Sequence, residues 1–134
     1  MKERDLQRLW GKYLQIHPPK VSEAHELKLS KTKSIRIDAV KPHQILGLQN
    51  AKTGLYYKIQ DMAATNGFAN PKPFDDFWLK DAEGYVLILF YVQRKPKIVY
   101  KIPIAVWIDK TKDWPKKSIR EEEIKVWHTE MITI

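Results

Sequence analysis

Five consecutive apolar residues, Val86-Leu87-Ile88-Leu89-Phe90, constrain this chain more than any other feature. A strand exposed on one face alternates apolar and polar residues. A run apolar on both faces must be covered on both sides. It therefore predicts a central strand in a sheet sandwiched between layers. Around it, Asp5 to Leu14 reads as a helix, because Leu6, Leu9, Trp10, Tyr13 and Leu14 recur at helical spacing, and Pro18-Pro19 stops it. Val21 to Leu29 reads as a strand and Lys31 to Ile37 as a basic connection. A second helix is expected from about Val40 to Lys52, capped by Asp38, with Pro42 in its first turn and Gly54 as its stop.

Leu55 to Ile59 reads as a further strand, and Met62 to Pro73, broken by glycine and prolines, as a loop. Phe74 to Leu79 and Tyr85 to Val92 are expected to pair as a hairpin around the turn from Lys80 to Gly84. Ile98 to Ile102 is another strand, and Ile104 to Ile108 begins a short helix. Ser118 with Glu121 forms a capping-box pattern for a C-terminal helix, Ile119 to Trp127. The order α-β-α-β-β-β-β-α predicts a single α/β domain over residues 1–134, a mixed sheet flanked by helices.

The chain of 134 residues holds no cysteine, which excludes disulfides, thiolate zinc sites and cysteine nucleophiles. His17, His43 and His128 show no metal-ligand spacing, so a zinc site is not expected. No stretch is apolar and long enough to span a bilayer, and Met1 to Asp5 lacks the layout of a signal peptide, so an intracellular setting is the simplest reading. The net charge of +8 suits a polyanionic partner, although a solubilising surface gives the same count.

Three patterns carry possible chemistry. Glu26 and Lys28 alternate with Leu27 on a strand and so share a face, where a carboxylate can hold Mg²⁺ and a lysine can stabilise charge on a phosphate. A solvated ion pair has the same signature. Gln44, in the first turn of the second helix, is a polar contact for a phosphate or its attacking water, or a residue with no such role. Lys31, Lys33, Arg36 and Lys41 follow the Glu26–Lys28 pair directly. Arg94, Lys95 and Lys97 form a second basic cluster, and Lys116, Lys117 and Arg120 a third. Such residues contact phosphates without reading sequence, or line solvated loops. Trp10, Trp107, Trp114 and Trp127 read as core or interface residues rather than stacking platforms, and His25, which faces away from Glu26, as a structural histidine.

The segment from His25 to Gln44, HELKLSKTKSIRIDAVKPHQ, resembles the core of RecU-like Holliday-junction resolvases of the PD-(D/E)xK nuclease superfamily: a strand with E-x-K, a basic link, and a helix opening with H-Q. The run KPFDDFWLKDAEGYVLILFYVQRKPKIVYKIPI and the stretch KKSIREEEI are similar to the same group. The resemblance implies a restriction-endonuclease-like fold and cleavage of branched DNA with Mg²⁺, or Mn²⁺ in its place. It also implies a homodimer and a cytoplasmic protein of bacterial or phage origin. The proline-to-acid pattern ending at Asp75 matches the acidic strand of that superfamily, but stands after the E-x-K strand instead of before it. A split site follows, with Glu26 and Asp75 as metal ligands and Lys28 and Gln44 as catalytic partners, assembled by neighbouring strands. Asp76 should face away, and Asp61, Glu3 and Asp5 are alternative acids. A non-catalytic DNA-binding domain and a nuclease acting on ends or nicks are the competing readings.

Overall fold

The structure is a computed structural model that describes residues 1–59 and 74–134. The expected Met62–Pro73 loop and the alternative acid Asp61 lie outside the described residues. Helix α1 (Glu3–Ile16) leads into strand β1 (Glu23–Ser30), a short strand β2 (Ser34–Arg36), a 3₁₀ turn (Ile37–Ala39) and helix α2 (Pro42–Thr53). Strands β3 (Leu55–Lys58), β4 (Asp76–Leu79), β5 (Glu83–Phe90) and β6 (Ile98–Pro103) follow. Helix α3 (Ile104–Thr111), strand β7 (Ser118–Arg120), helix α4 (Glu121–Lys125) and strand β8 (Glu130–Thr133) complete the chain.

The main sheet has the order β1-β5-β6-β8 and is mixed: β1 runs parallel to β5, while β6 is antiparallel to both β5 and β8. The apolar run lies at its centre, as expected. Val86, Ile88 and Phe90 point into one core with Leu48 of α2, Trp107 of α3 and Ile124 of α4. Leu87 and Leu89 point into the other core with Leu6 and Trp10 of α1. No helix of the described residues is long and apolar enough to cross a membrane.

Gly84 permits the close fit of α2 on the sheet. A Cβ there would stand 2.5 Å from the Leu48 carbonyl oxygen and 2.9 Å from its Cβ. Gly54 ends α2 at φ +151°, a conformation that L side chains rarely adopt, and the Trp78 ring lies against it.

Several expectations need correction. The hairpin between Phe74 and Val92 does not form: β4 pairs antiparallel with β3, whereas β5 pairs with β1 and β6. The apolar β5 needs partners and cover on all sides, which the open β4 cannot provide. Asp38 does not cap α2. It receives two 2.9 Å hydrogen bonds from the Arg36 guanidinium, and the helix starts after Lys41. The basic connection contains β2, which pairs with β7, so Ser118 to Arg120 are extended and the last helix is only Glu121–Lys125. Glu123 accepts the Arg120 N–H at its start, in place of the expected Ser118 and Glu121 pattern. Strand β8 was not anticipated, because Met131 and Ile132 lie in a short C-terminal run without a turn signal before it.

Candidate functional site

Edge strand β1 directs Glu26 and Lys28 toward α2, on the face shared with their register partners Val86 and Ile88. Gln44 stands in the first turn of α2. Its Oε1 accepts the Lys41 N–H at 2.9 Å, and its Nε2 donates to Glu26 Oε1 at 2.9 Å. The capping bond thus fixes the amide so that its donor end meets the carboxylate. Lys28 Nζ lies 3.2 Å from the same Oε1. Glu26 Oε2 takes no hydrogen bond from the described residues. The Lys28 side chain is 13% exposed and that of Glu26 26%, so the pair is held in place yet open on one side. The structure brings together three of the four candidate catalytic residues, which are separated by up to eighteen positions in the chain.

Asp75 precedes β4, and its carbonyl accepts the Ile59 N–H at 2.9 Å. Strand neighbourhood does not carry it to Glu26, because β4 belongs to a separate two-stranded ladder with β3. Asp76 lies on the ladder face that carries Tyr56 and accepts the Tyr56 hydroxyl at 3.0 Å. That bond raises the phenol above its usual range. Among the described residues no three His, Asp or Glu side chains converge to hold a metal ion. Glu3 and Asp5 sit on α1, and Asp5 accepts the Lys2 N–H at 2.8 Å.

The β3–β4 ladder closes a cleft of about 440 Å³ over this cluster. Glu26, Gln44 and Gly47 form one wall, and Leu55, Tyr57, Phe77 and Leu79 the other. The sequence reading missed this second wall. Its signal was the alternation Leu55–Tyr57 and Phe77–Leu79, which places all four on one face of the ladder.

The basic clusters also converge. Ser30 Oγ and Thr32 Oγ1 bond within the turn that follows β1, ordering a loop from which Lys31 and Lys33 project, exposed. Because β1 and β5 are parallel, both leave the sheet at the same end, where the Tyr91 N–H donates to the Ser30 carbonyl at 2.7 Å. The exposed Arg94 and Lys95, with Lys97 beyond them, continue from that end. The β2–β7 pairing sets Arg36 beside Ser118, so the clusters around residues 36 and 117 adjoin. Arg36 is engaged with Asp38 and Arg120 with Glu123, whereas Lys31, Lys33 and Lys41 are exposed around the first cluster.

The opposite face of β1 carries a structural network. Trp10 Nε1–H donates to His25 Nδ1 at 3.0 Å, which leaves His25 Nε2–H to donate to Glu23 Oε1 at 2.8 Å. Lys101 Nζ also meets Glu23 Oε1 at 2.8 Å and sits 4.4 Å from the centre of the Tyr85 ring. Burial holds the His25 imidazole below its usual 6.5, against the opposing pull of Glu23. Burial raises the Glu23 carboxyl, but its bonds from Lys101 and His25 outweigh it and leave the group below its usual 4.5. A proton added to His25 Nδ1 would face the Trp10 donor. In both groups the unfolded chain binds protons more readily, so their contribution is full above the unfolded values and is lost as pH falls. The melting temperature is expected to fall between about pH 7 and pH 5, and to change much less over that range in His25→Gln. Equal slopes in a pH series of thermal melts would exclude His25 as the source.

Comparison of the chain with protein-family models, with curated proteins and with solved structures gave no match. The functional reading therefore rests on the cluster itself.

Proposed function

We propose that this chain is a metal-dependent DNA endonuclease with a restriction-endonuclease-like fold, acting on branched DNA in the manner of RecU-like resolvases. One observation carries the reading. Glu26, Lys28 and Gln44, distant in sequence, meet at a single carboxylate oxygen on an open cleft, with Nε2 to Oε1 at 2.9 Å and Nζ to Oε1 at 3.2 Å. The exposed Lys31 and Lys33, in the turn that follows the strand bearing Glu26, support a polyanionic substrate, as does the net charge of +8.

The donor set fits Mg²⁺ shared with a substrate phosphate. Mg²⁺ keeps several waters and is commonly bound by one or two carboxylates plus phosphate oxygens rather than by a protein cage. Glu26 would hold it through the oxygen that Gln44 and Lys28 leave open. When bound there, the cation supplies Lewis acidity toward the phosphodiester and lowers the pKa of water. Lys28 would stabilise charge developing on the phosphate. Gln44 is a positioning residue: its amide links the start of α2 to the carboxylate and fixes the carboxylate plane. A resolvase cuts two strands symmetrically, so a homodimer belongs to the proposal.

The test is cleavage of a synthetic four-way junction by purified protein. We expect nicked arms with Mg²⁺ or Mn²⁺ and none with chelator. The second reading, a DNA-binding domain that does not cut, is favoured by the separation of β4 from the sheet that bears Glu26. Junction binding without cleavage at any concentration of either metal would establish it. Absence of binding to any DNA would remove both.

Lys31→Ala combined with Lys33→Ala is expected to weaken DNA binding and flatten its salt dependence. Each lost phosphate contact should lower the slope of log affinity against log salt by about one. An unchanged slope in anisotropy titrations would take this loop out of the interface.

A further inference from the structure

The β3–β4 ladder has two unlike faces. One bears Tyr56 and Trp78, with the Tyr56 hydroxyl bonded to Asp76 and the Trp78 ring over Gly54. The other presents Leu55, Tyr57, Phe77 and Leu79 to the cleft that holds Glu26 and Gln44. Leu55 and Leu79 are half-buried. Tyr57 and Phe77 are 54% and 37% exposed, although they form a cross-strand stack with ring centres 5.4 Å apart and planes 27° from parallel. Phe74 stands edge-on to Phe77 at 6.3 Å and is 52% exposed. Single exposed aromatic rings are ordinary, but three in contact beside a charged cleft mark a contact surface.

We propose that this aromatic wall is a stacking platform for an unpaired nucleotide, whose adjoining phosphate lies toward Glu26 and Lys28. The proposal rests on the DNA reading above and adds a substrate class to it: strands with splayed or unpaired bases next to the scissile bond. Two features select this occupant. Flat rings stack on any base without reading its edge, at a worth of about 1–3 kcal/mol per base by alanine substitution. The facing wall carries the Glu26 carboxylate and Gln44, so an occupant needs an apolar plane on one side and, on the other, an anionic group that can share a divalent cation with Glu26. A nucleotide has both. A second copy seated through an apolar patch would bury the Glu26 carboxylate without compensation for its hydration. The cleft volume of about 440 Å³ leaves room for a base and its sugar, whereas a paired base inside a duplex cannot enter it.

The experiment compares anisotropy titrations on two fluorescein-labelled duplexes, one fully paired and one with a short single-stranded bulge, with Ca²⁺ replacing Mg²⁺ to prevent cutting. The wild-type chain is expected to prefer the bulged duplex by about tenfold or more. Tyr57→Ala with Phe77→Ala should abolish that preference and leave affinity for the paired duplex nearly unchanged. Tyr57→Phe, which keeps the ring, should retain the preference. Tyr57→Leu with Phe77→Leu, which keeps apolar bulk without a π-face, should lose it, so the conclusion survives if the alanine protein misfolds. Binding to both duplexes without preference overturns this proposal alone, as does a preference that persists in the ring-less variants. A dimer that dissociates on loss of the rings while the bulge preference is unchanged assigns the wall to a second copy. Failure to bind either duplex overturns the DNA reading together with this one.

Discussion

Glu26→Gln is expected to abolish metal-dependent cleavage, by at least about a hundredfold, and to leave junction affinity close to that of the wild-type chain. The substitution preserves size and keeps an oxygen that can accept the Gln44 Nε2–H, now seen at 2.9 Å. It removes the negative charge that a divalent cation needs. It also leaves Lys28, only 13% exposed, beside a neutral amide instead of a carboxylate at 3.2 Å. A buried charge that loses its partner destabilises the fold, so a drop of several degrees in Tm accompanies the change. Measuring cleavage, junction affinity and Tm on one preparation separates the effects: a lost metal ligand removes cleavage while binding and a folded melt persist. Cleavage at the wild-type rate would exclude Glu26 as a ligand. In the same assay Asp76→Asn, whose carboxylate accepts the Tyr56 hydroxyl on a separate ladder, should leave cutting intact.

The largest effect on stability is expected at Gly84→Ala. The new methyl carbon would stand 2.5 Å from the Leu48 carbonyl oxygen and 3.0 Å from the Leu48 carbonyl carbon, both backbone atoms of α2. No rotamer change can relieve a clash with backbone, so α2 must move away from β5. Overpacking of this kind costs about 1–3 kcal/mol or more. For a domain of this size that is a fall in Tm of roughly 5–15 °C. Because α2 carries Gln44, the same shift should loosen its 2.9 Å bond to Glu26 and lower cleavage. Gly11→Ala is the contrast: a Cβ there meets nothing within 4 Å, and alanine in a helix interior stabilises by about 0.5–1 kcal/mol. Equal melts for Gly84→Ala and wild type would show that α2 packs less closely on the sheet.

The local rules worked where one element decided the outcome. Helical spacing of Leu6 and Trp10, strand alternation of Glu26 and Lys28, and Gly54 as the end of α2 are properties of a few adjacent residues, and all three recur in the structure. They failed where two segments competed for a partner. Sequence proximity favoured β4 with β5, but β5 pairs with β1 instead, sixty positions away in register, as in Lys28 with Ile88. The pairing of β2 with β7 likewise converted the expected start of a C-terminal helix at Ile119 into strand.

By itself the sequence determined the apolar centre at Val86 to Phe90, the shared face of Glu26 and Lys28, and the net positive charge. Only the tertiary structure decided which oxygen Gln44 meets and that β4, which follows Asp75, sits in a separate ladder. It also decided that Tyr57 and Phe77 face the cleft. The reason is physical. Periodicity and charge act over a turn of helix or a pair of strand residues, whereas strand pairing is set by which faces can be buried together, and that depends on the whole chain at once.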